Sequence, residues 1–218
     1  MNLKEYIQEA VKTESKIEHV KVNPDLIVNI LYLFNAAGRM LDQVKKHAFY
    51  GKDYSVENFS VDYTSCITAL QALTLIQVNG SSEDMKEEDH KQIDSRVFHA
   101  IMGIATEATE LTEALYKVLI TEGLKPDYIN IREENGDLNW YQAILYDAMR
   151  ELGIEGTWED DLQKNIDKLQ KKRYKGGTFT QEEALYRNID DEISVYKEMK
   201  ELEELLESEE TEDSSGKS

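Results

Sequence analysis

IMGIATEATELTEALYKV, residues 101–118, combines a helical apolar stripe with two glutamates that do not suit it. Glu107 falls inside the stripe and Glu110 lies on its edge, at the spacing of about 100° per residue that marks one face of a helix. The stripe consists of Ile101, Ile104, Ala105, Ala108, Leu111, Leu115 and Val118. An ionised carboxylate away from water is costly unless it is paired or binds a metal. The pattern therefore predicts that Glu107 has a specific partner.

A second segment, IREENGDLNWYQAILYDA at residues 131–148, repeats this arrangement. Glu134 lies within its apolar stripe, and Asp137 occupies the same edge that Glu110 occupies in the other helix. Antiparallel packing of the two helices would bring four carboxylates to one place, and oxygen ligands of this kind suit Mg²⁺ or Mn²⁺. An ordinary salt-bridged helix face is the alternative, but two inward pairs at matching offsets favour a metal site.

The composition predicts an all-α protein. Only 2 prolines and 11 glycines occur in 218 residues, and 40% of the residues are hydrophobic, which is enough for a packed core. Apolar periodicity and turn signals predict helices at about 24–47, 56–78, 95–121, 129–152 and 158–173. The chain divides into a first half (1–78), a polar linker (79–92), a half that contains both acidic pairs (93–190), and an acidic helix with a disordered tail (191–218).

The two halves resemble each other in sequence. A shift of 71 positions places residues 35–46 beside 106–117, and a shift of 72 aligns 58–70 with 130–142. An internal duplication explains this match, and a chance resemblance between amphipathic helices is the alternative. The fold expected from such a duplication is a pair of tandem helical hairpins that form a four-helix pseudo-dimer, followed by C-terminal helices. The positions that match the acidic residues are Ala36, Arg39, Asp62 and Ser65, so the first half has lost the site. Arg39 is either an ion-pair partner that fills the vacant cation position or a surface arginine.

Charge and cysteine content exclude several classes of function. The 44 acidic residues against 25 basic ones give a net charge of -19, which repels nucleic acid polymers and anionic membranes. A small anionic substrate is still possible, because a bound cation reverses the local field. The single cysteine, Cys66, excludes an intrachain disulfide framework, and no signal sequence or membrane-spanning run is evident, so we expect a cytoplasmic protein.

Three motifs resemble those of the MazG-like pyrophosphohydrolases and the related all-α dUTPases. They are EATELTEAL at 107–115, EENGDLNWY at 133–141 and NIDKLQKKRY at 165–174, within a similar stretch of about residues 95–190. Thr109 stands where these proteins commonly have glycine, and Asn135 where leucine is usual. The resemblance implies a four-helix-bundle MazG-like fold with a catalytic second half and a degenerate first half that serves as scaffold.

The same resemblance implies an activity. The chain would be a Mg²⁺-dependent enzyme, with Mn²⁺ as an alternative cofactor, that cleaves a (deoxy)nucleoside triphosphate to the monophosphate and pyrophosphate. The implied catalytic metal ligands are Glu107, Glu110, Glu134 and Asp137, and the implied substrate contacts are Asn165, Lys168, Arg173 and Tyr174. Other possibilities are a non-catalytic nucleotide-binding or regulatory protein and a phosphoribosyl-ATP pyrophosphohydrolase. The expected assembly is a monomeric pseudo-dimer or a homodimer.

Overall fold

The computed structural model of the chain describes residues 1–15, 23–79 and 94–195. Every regular element within these ranges is helical, which confirms the all-α prediction. The greater part of the predicted linker and the predicted disordered tail lie outside the described residues.

The helices follow one another along the chain with short connections. Their bounds are α1 Leu3–Ala10, α2 Pro24–Tyr50, α3 Val56–Asn79, α4 Ser95–Ile120, α5 Tyr128–Glu151, α6 Trp158–Asp167, α7 Gln181–Leu185 and, within the described residues, α8 189–195. A 3₁₀ turn, Val11–Thr13, follows α1, and a π-helical segment, Lys168–Arg173, continues α6.

Local signals explain where the long helices begin and end. Pro24 opens α2, where its fixed φ suits the first helical turn. Asp94 and Asp127 cap α4 and α5, because the side chain of each accepts hydrogen bonds from two backbone N–H groups of the first turn. Gly51, at φ +66°, ends α2 in the left-handed conformation that glycine adopts without strain. The predicted bounds of α2 to α5 are confirmed to within three residues.

The contacts of the chain define two compact units that interleave along the sequence. The first unit consists of Met1–Val28 and Thr74–Trp158, and the second of Asn29–Leu73 and Glu159–Ser218. The α4–α5 hairpin therefore belongs to the first unit, together with α1. Most of α2 and α3 belongs to the second unit, together with the residues that follow Trp158.

In the first unit, α4 and α5 pack antiparallel. Arg96 near the start of α4 pairs with Asp147 near the end of α5, whereas Glu107 and Glu110 further along α4 approach Glu134 near the start of α5. Helix α1 lies against α5. A small core joins these elements around buried Ala10, Ala143 and Trp158, with the rings of Tyr146 and Trp158 stacked 5.5 Å apart.

The α2–α3 hairpin of the second unit is also antiparallel. The backbone N–H of Ser55 donates to the side chain of Gln43, Arg39 pairs with Asp62, and the Tyr32 hydroxyl donates to Ser65 Oγ. The contacts that lie nearer the start of α2 lie nearer the end of α3, as expected for two antiparallel helices of a hairpin.

None of the helices in the described ranges is long and apolar enough to cross a membrane. This agrees with the sequence, in which no apolar run of that length occurs.

Candidate metal centre

Three of the four predicted ligands meet between α4 and α5. Glu107, Glu110 and Glu134 each offer an oxygen atom, and these atoms all lie within 4.8 Å of one another. Glu107 and Glu134 are partly buried, and Glu110 is exposed. The structure therefore brings together one carboxylate from within each apolar stripe and one from the edge of the first.

The carboxylates of this cluster repel one another. Burial raises the pKa of Glu107, and the nearby charges of Glu110, Asp137 and Glu134 raise it further. The pKa of Glu110 is raised chiefly by the charge of Glu134, with smaller contributions from desolvation and from its other acidic neighbours. No lysine or arginine among the described residues forms an ion pair with any of these four side chains.

Asp137, the fourth predicted ligand, lies at the margin of the cluster. It is exposed and is not part of the group whose oxygens lie within 4.8 Å of one another, but its charge acts on both Glu107 and Glu110. Two tyrosines adjoin it. The pKa values of Tyr6 and Tyr141 are raised first by burial and then by acidic neighbours, with Asp137 acting on both phenols.

Two residues that the sequence did not single out position the cluster. Asn130, one turn before Glu134, donates a hydrogen bond of 2.8 Å from its side-chain amide to Glu134 Oε1. Gly103, one turn before Glu107, is buried against Tyr141, and a Cβ at this position would lie 2.1 Å from the tyrosine ring. A glycine is therefore required for α4 to approach α5 this closely.

The amino-terminal segment braces the far end of the hairpin. Arg96 binds Glu14 through three hydrogen bonds of 2.6–3.1 Å, and it also pairs with Asp147 at 2.8 Å and with Glu151 at 2.6 Å. The Glu14 side chain is only 4% exposed. Because Glu14 follows α1 and both Asp147 and Glu151 lie on α5, the guanidinium of Arg96 on α4 ties residues 11–15, α4 and α5 together.

Trp140 connects α5 to the amino-terminal segment. Its indole N–H donates to the backbone oxygen of Ala10 at 3.1 Å and to Thr13 Oγ1 at 2.9 Å. This residue anchors α1 on α5, which places Tyr6 near Asp137. The capping box of Asn2 and Glu5 and the apolar spacing of Leu3, Tyr6, Ile7 and Ala10 are the sequence signals that could have revealed α1.

The predicted substrate contacts belong to the second unit, and the acidic cluster belongs to the first. Asn165, Lys168, Arg173 and Tyr174 are all partly buried. Arg173 pairs with Glu192, which is 2% exposed and also binds Arg187, so the Arg173 guanidinium is engaged within its own unit. Lys171, by contrast, pairs with Asp167 at the surface.

The angular distance of Glu113 from the apolar stripe of α4 predicts a solvated residue rather than an outer ligand or base of the cluster. It forms an ion pair of 2.9 Å with Lys117, one turn further along α4, and both side chains are more than half exposed. This geometry agrees with the solvated position.

At the matching positions of α2 and α3, no acidic cluster forms. Arg39 Nε donates to Asp62 Oδ1 at 2.6 Å, and the Asp62 side chain is 7% exposed. Ala36 is fully buried, and Ser65 Oγ accepts the Tyr32 hydroxyl. The expectation that Arg39 is an ion-pair partner is confirmed.

Comparison of the chain with models of known protein families, with curated proteins and with solved structures gave no match. The assignment of an activity therefore rests on the motifs and on the geometry of the acidic cluster.

Proposed function

We propose that this chain is a Mg²⁺-dependent nucleoside triphosphate pyrophosphohydrolase of the MazG-like kind. Water would attack the α-phosphorus, the bond from that atom to the bridging oxygen would break, and pyrophosphate would leave. The other product is a nucleoside monophosphate, and the water proton passes to solvent.

One observation carries the proposal: Glu107, Glu110 and Glu134 face one another within 4.8 Å, and no basic side chain among the described residues pairs with them. Such a cluster is unfavourable while it stays ionised, and a hard divalent cation that accepts oxygen ligands removes the repulsion. The residues present therefore suit Mg²⁺ or Mn²⁺. These three glutamates, with Asp137 beside them, would hold the ion, which when bound polarises phosphoryl oxygens and lowers the pKa of water.

A few other residues of the first unit support this cluster. Asn130 fixes the orientation of Glu134, so that one carboxylate is positioned before the substrate arrives. The Tyr141 ring fills the space beside Gly103, one turn before Glu107. Burial raises the pKa of the Tyr6 phenol, and the charge of Asp137 raises it further, so the field of the cluster reaches α1.

The proposal extends to the parts that rest on the resemblance alone. These are the contacts of Asn165, Lys168, Arg173 and Tyr174 with the substrate, and a duplicated MazG-like fold. The register of the two hairpins supports the duplication: moving Arg39 by 71 positions and Asp62 by 72 gives Glu110 and Glu134, and both are contacting pairs. The chain would then work as a pseudo-dimer or assemble as a homodimer.

The test is incubation with a panel of ribo- and deoxynucleoside triphosphates and Mg²⁺, with phosphoribosyl-ATP included, and measurement of pyrophosphate. We expect pyrophosphate from one or more of the nucleoside triphosphates. If phosphoribosyl-ATP is the only compound of the panel that yields pyrophosphate, the chain would instead be a phosphoribosyl-ATP pyrophosphohydrolase. Binding of nucleotides without any pyrophosphate would mean that the chain is a non-catalytic nucleotide-binding protein.

A further inference from the structure

The α2–α3 hairpin of the second unit contains a cavity that the proposed reaction does not use. Its volume is about 450 Å³, within the range of roughly 300–1,000 Å³ that is usual for small-molecule sites. The walls come from the last half of α2, the connection to α3 and the first part of α3. All of these residues lie in one unit.

Arg39 is the best-defined donor in this cavity. Its Nε is held at 2.6 Å by the buried carboxylate of Asp62, while half of the arginine side chain remains exposed. None of the hydrogen bonds found in the described ranges uses Nη1 or Nη2. A guanidinium fixed on one edge presents its two other nitrogens side by side, which is the arrangement that binds a phosphate or carboxylate bidentately.

The other lining groups add further donors. Lys52 is exposed and forms no ion pair with any described residue, and the Gln43 amide oxygen is already engaged by the Ser55 N–H, which leaves its NH₂ group available. The acids are mostly satisfied from within the hairpin. Asp42 is held by Lys45 and Lys46, which lower its pKa, and Asp62 is held by Arg39.

Asp53 is the remaining acid of the lining, and no described residue pairs with it. It can accept a hydrogen bond from a hydroxyl or amino group. A ligand suited to the whole cavity therefore carries an anionic group for Arg39 and Lys52 and a hydroxyl donor for Asp53.

We infer that the α2–α3 cavity is a metal-independent binding site for a small phosphorylated molecule that also carries hydroxyl groups, with the guanidinium of Arg39 as its phosphate anchor. Arg39 occupies the register position at which Glu110 stands in the other hairpin. A fixed cation in the α2–α3 hairpin thus takes the place of carboxylates that would need a metal. The site binds without hydrolysing, because its lining aspartates do not converge into a group that could hold an ion, and Asp42 and Asp62 already pair with cations.

The test is calorimetric titration of the full chain in excess EDTA, with inorganic phosphate and with adenosine monophosphate as probes. The titration uses the Glu110→Gln variant as well as the native sequence, so it does not depend on the proposed hydrolysis. We expect binding of the monophosphate to both proteins, and weaker binding of inorganic phosphate because it lacks a partner for Asp53.

Two variants locate the site. Arg39→Gln should weaken binding by about tenfold to a hundredfold, the effect of losing a hydrogen bond to a charged group. Lys52→Gln, on an exposed side chain, should weaken it by about threefold to tenfold and decides the matter if Arg39→Gln fails to fold. Lys4→Gln is the matched control, because it removes the same charge from an exposed position on α1, in the first unit, and does not line the cavity, and it should leave binding unchanged.

The inference is overturned if neither probe binds in EDTA at millimolar concentration. It is also overturned if the folded variants at residues 39 and 52 bind as tightly as the native protein, or if Lys4→Gln weakens binding as much as they do.

Discussion

At the residue scale, the glutamates between α4 and α5 share a repulsion that governs both stability and chemistry. Glu107 and Glu110 have raised pKa values because like charges and burial disfavour their ionised forms. A carboxyl group whose pKa is raised by folding destabilises the folded state once the pH is high enough to ionise it. The metal-free protein is therefore less stable at neutral pH than it would be without this repulsion. A bound divalent cation or the loss of one charge relieves that cost.

We therefore predict that Glu110→Gln does not lower the melting temperature in EDTA, and that it abolishes the stabilisation by Mg²⁺. The native protein should gain stability with Mg²⁺, since a ligand at a hundredfold its Kd contributes about 2.7 kcal/mol. Thermal denaturation with and without Mg²⁺ measures both effects. Glu133→Gln, an exposed neighbour of Glu134, is the control and should respond to Mg²⁺ as the native chain does. If the melting temperature of the native protein does not change when Mg²⁺ is added, the proposal of a metal site is wrong.

Gly103 sets the distance between the two helices that carry the cluster. Gly103→Ala forces a methyl group against the Tyr141 ring, which should cost about 1–3 kcal/mol and should reduce hydrolysis by displacing Tyr141. Gly136→Ala is the matched control in α5, because nothing lies within 4 Å of its Cβ position. That change should stabilise the protein by about 0.5–1 kcal/mol. Urea unfolding of the two variants gives the comparison, and equal effects would be inconsistent with close packing at Gly103.

At the scale of the elements, the ion pairs of Arg96 hold α4, α5 and the segment after α1 in place. Burial alone would raise the pKa of Asp147, but hydrogen bonds from Arg150 and Arg96 outweigh it, and the net shift is downward. A lowered pKa in the folded state means that the ionised carboxylate stabilises the fold above its unfolded pKa of about 3.9. This contribution is lost as the pH falls through the lower, folded value.

Asp147→Asn should therefore destabilise the protein by about 1–3 kcal/mol at neutral pH, the usual cost of losing hydrogen bonds to charged groups. The difference from the native protein should shrink as the pH falls below about 4. Urea unfolding at a series of pH values measures it. Glu9→Gln, which breaks only an exposed pair with Lys12, should change stability by less than about 0.5 kcal/mol. A pH-independent effect of Asp147→Asn would rule out the ionic explanation.

The long helices could be predicted because residues close to each boundary determine where the helix begins or ends. Pro24, Gly51, Asp94 and Asp127 stop or start helices through their own backbone or side-chain chemistry. Helix α1 has only eight residues, and its position depends on Trp140, which contacts Ala10 from 130 positions away. The capping box of Asn2 and Glu5 marks the start of α1 locally, but the contact with Trp140 depends on the tertiary fold and leaves no local signal.

In the candidate site, too, some residues could be predicted from the local sequence and others could not. Glu107 and Glu134 could be predicted because a carboxylate inside an apolar stripe conflicts with its surroundings. Asn130 could not, since an asparagine one turn from a glutamate is common on helix surfaces. The ion pair of Arg173 with Glu192 could not be predicted from the sequence either, because it joins an arginine to a buried acid 19 residues further on.

For the whole molecule, the difference between the two hairpins is one of charge. One brings together acids that have no basic partner among the described residues, and the other pairs Arg39 with Asp62 at the corresponding register position. With a net charge of -19, the chain repels further negative charge, and a counter-charge at the acidic cluster would relieve the repulsion there. We propose that this counter-charge is a metal ion at the first hairpin and a fixed guanidinium at the second.

The stoichiometry of metal binding follows from this difference. Calorimetric titration with Mn²⁺ should show that Glu134→Gln abolishes binding, whereas Asp62→Asn leaves the number of bound ions unchanged. Asp62 is already neutralised by Arg39, so its removal takes away no metal ligand. A loss of bound metal in Asp62→Asn would show that the α2–α3 hairpin also binds an ion, against the account given above.

The reaction itself is tested most directly by ³¹P NMR of a nucleoside triphosphate incubated with the full chain and Mg²⁺. We expect one pyrophosphate and one nucleoside monophosphate for each triphosphate consumed, and no turnover by Glu134→Gln. Release of orthophosphate with a nucleoside diphosphate, no turnover of any triphosphate, or equal turnover by Glu134→Gln would contradict it.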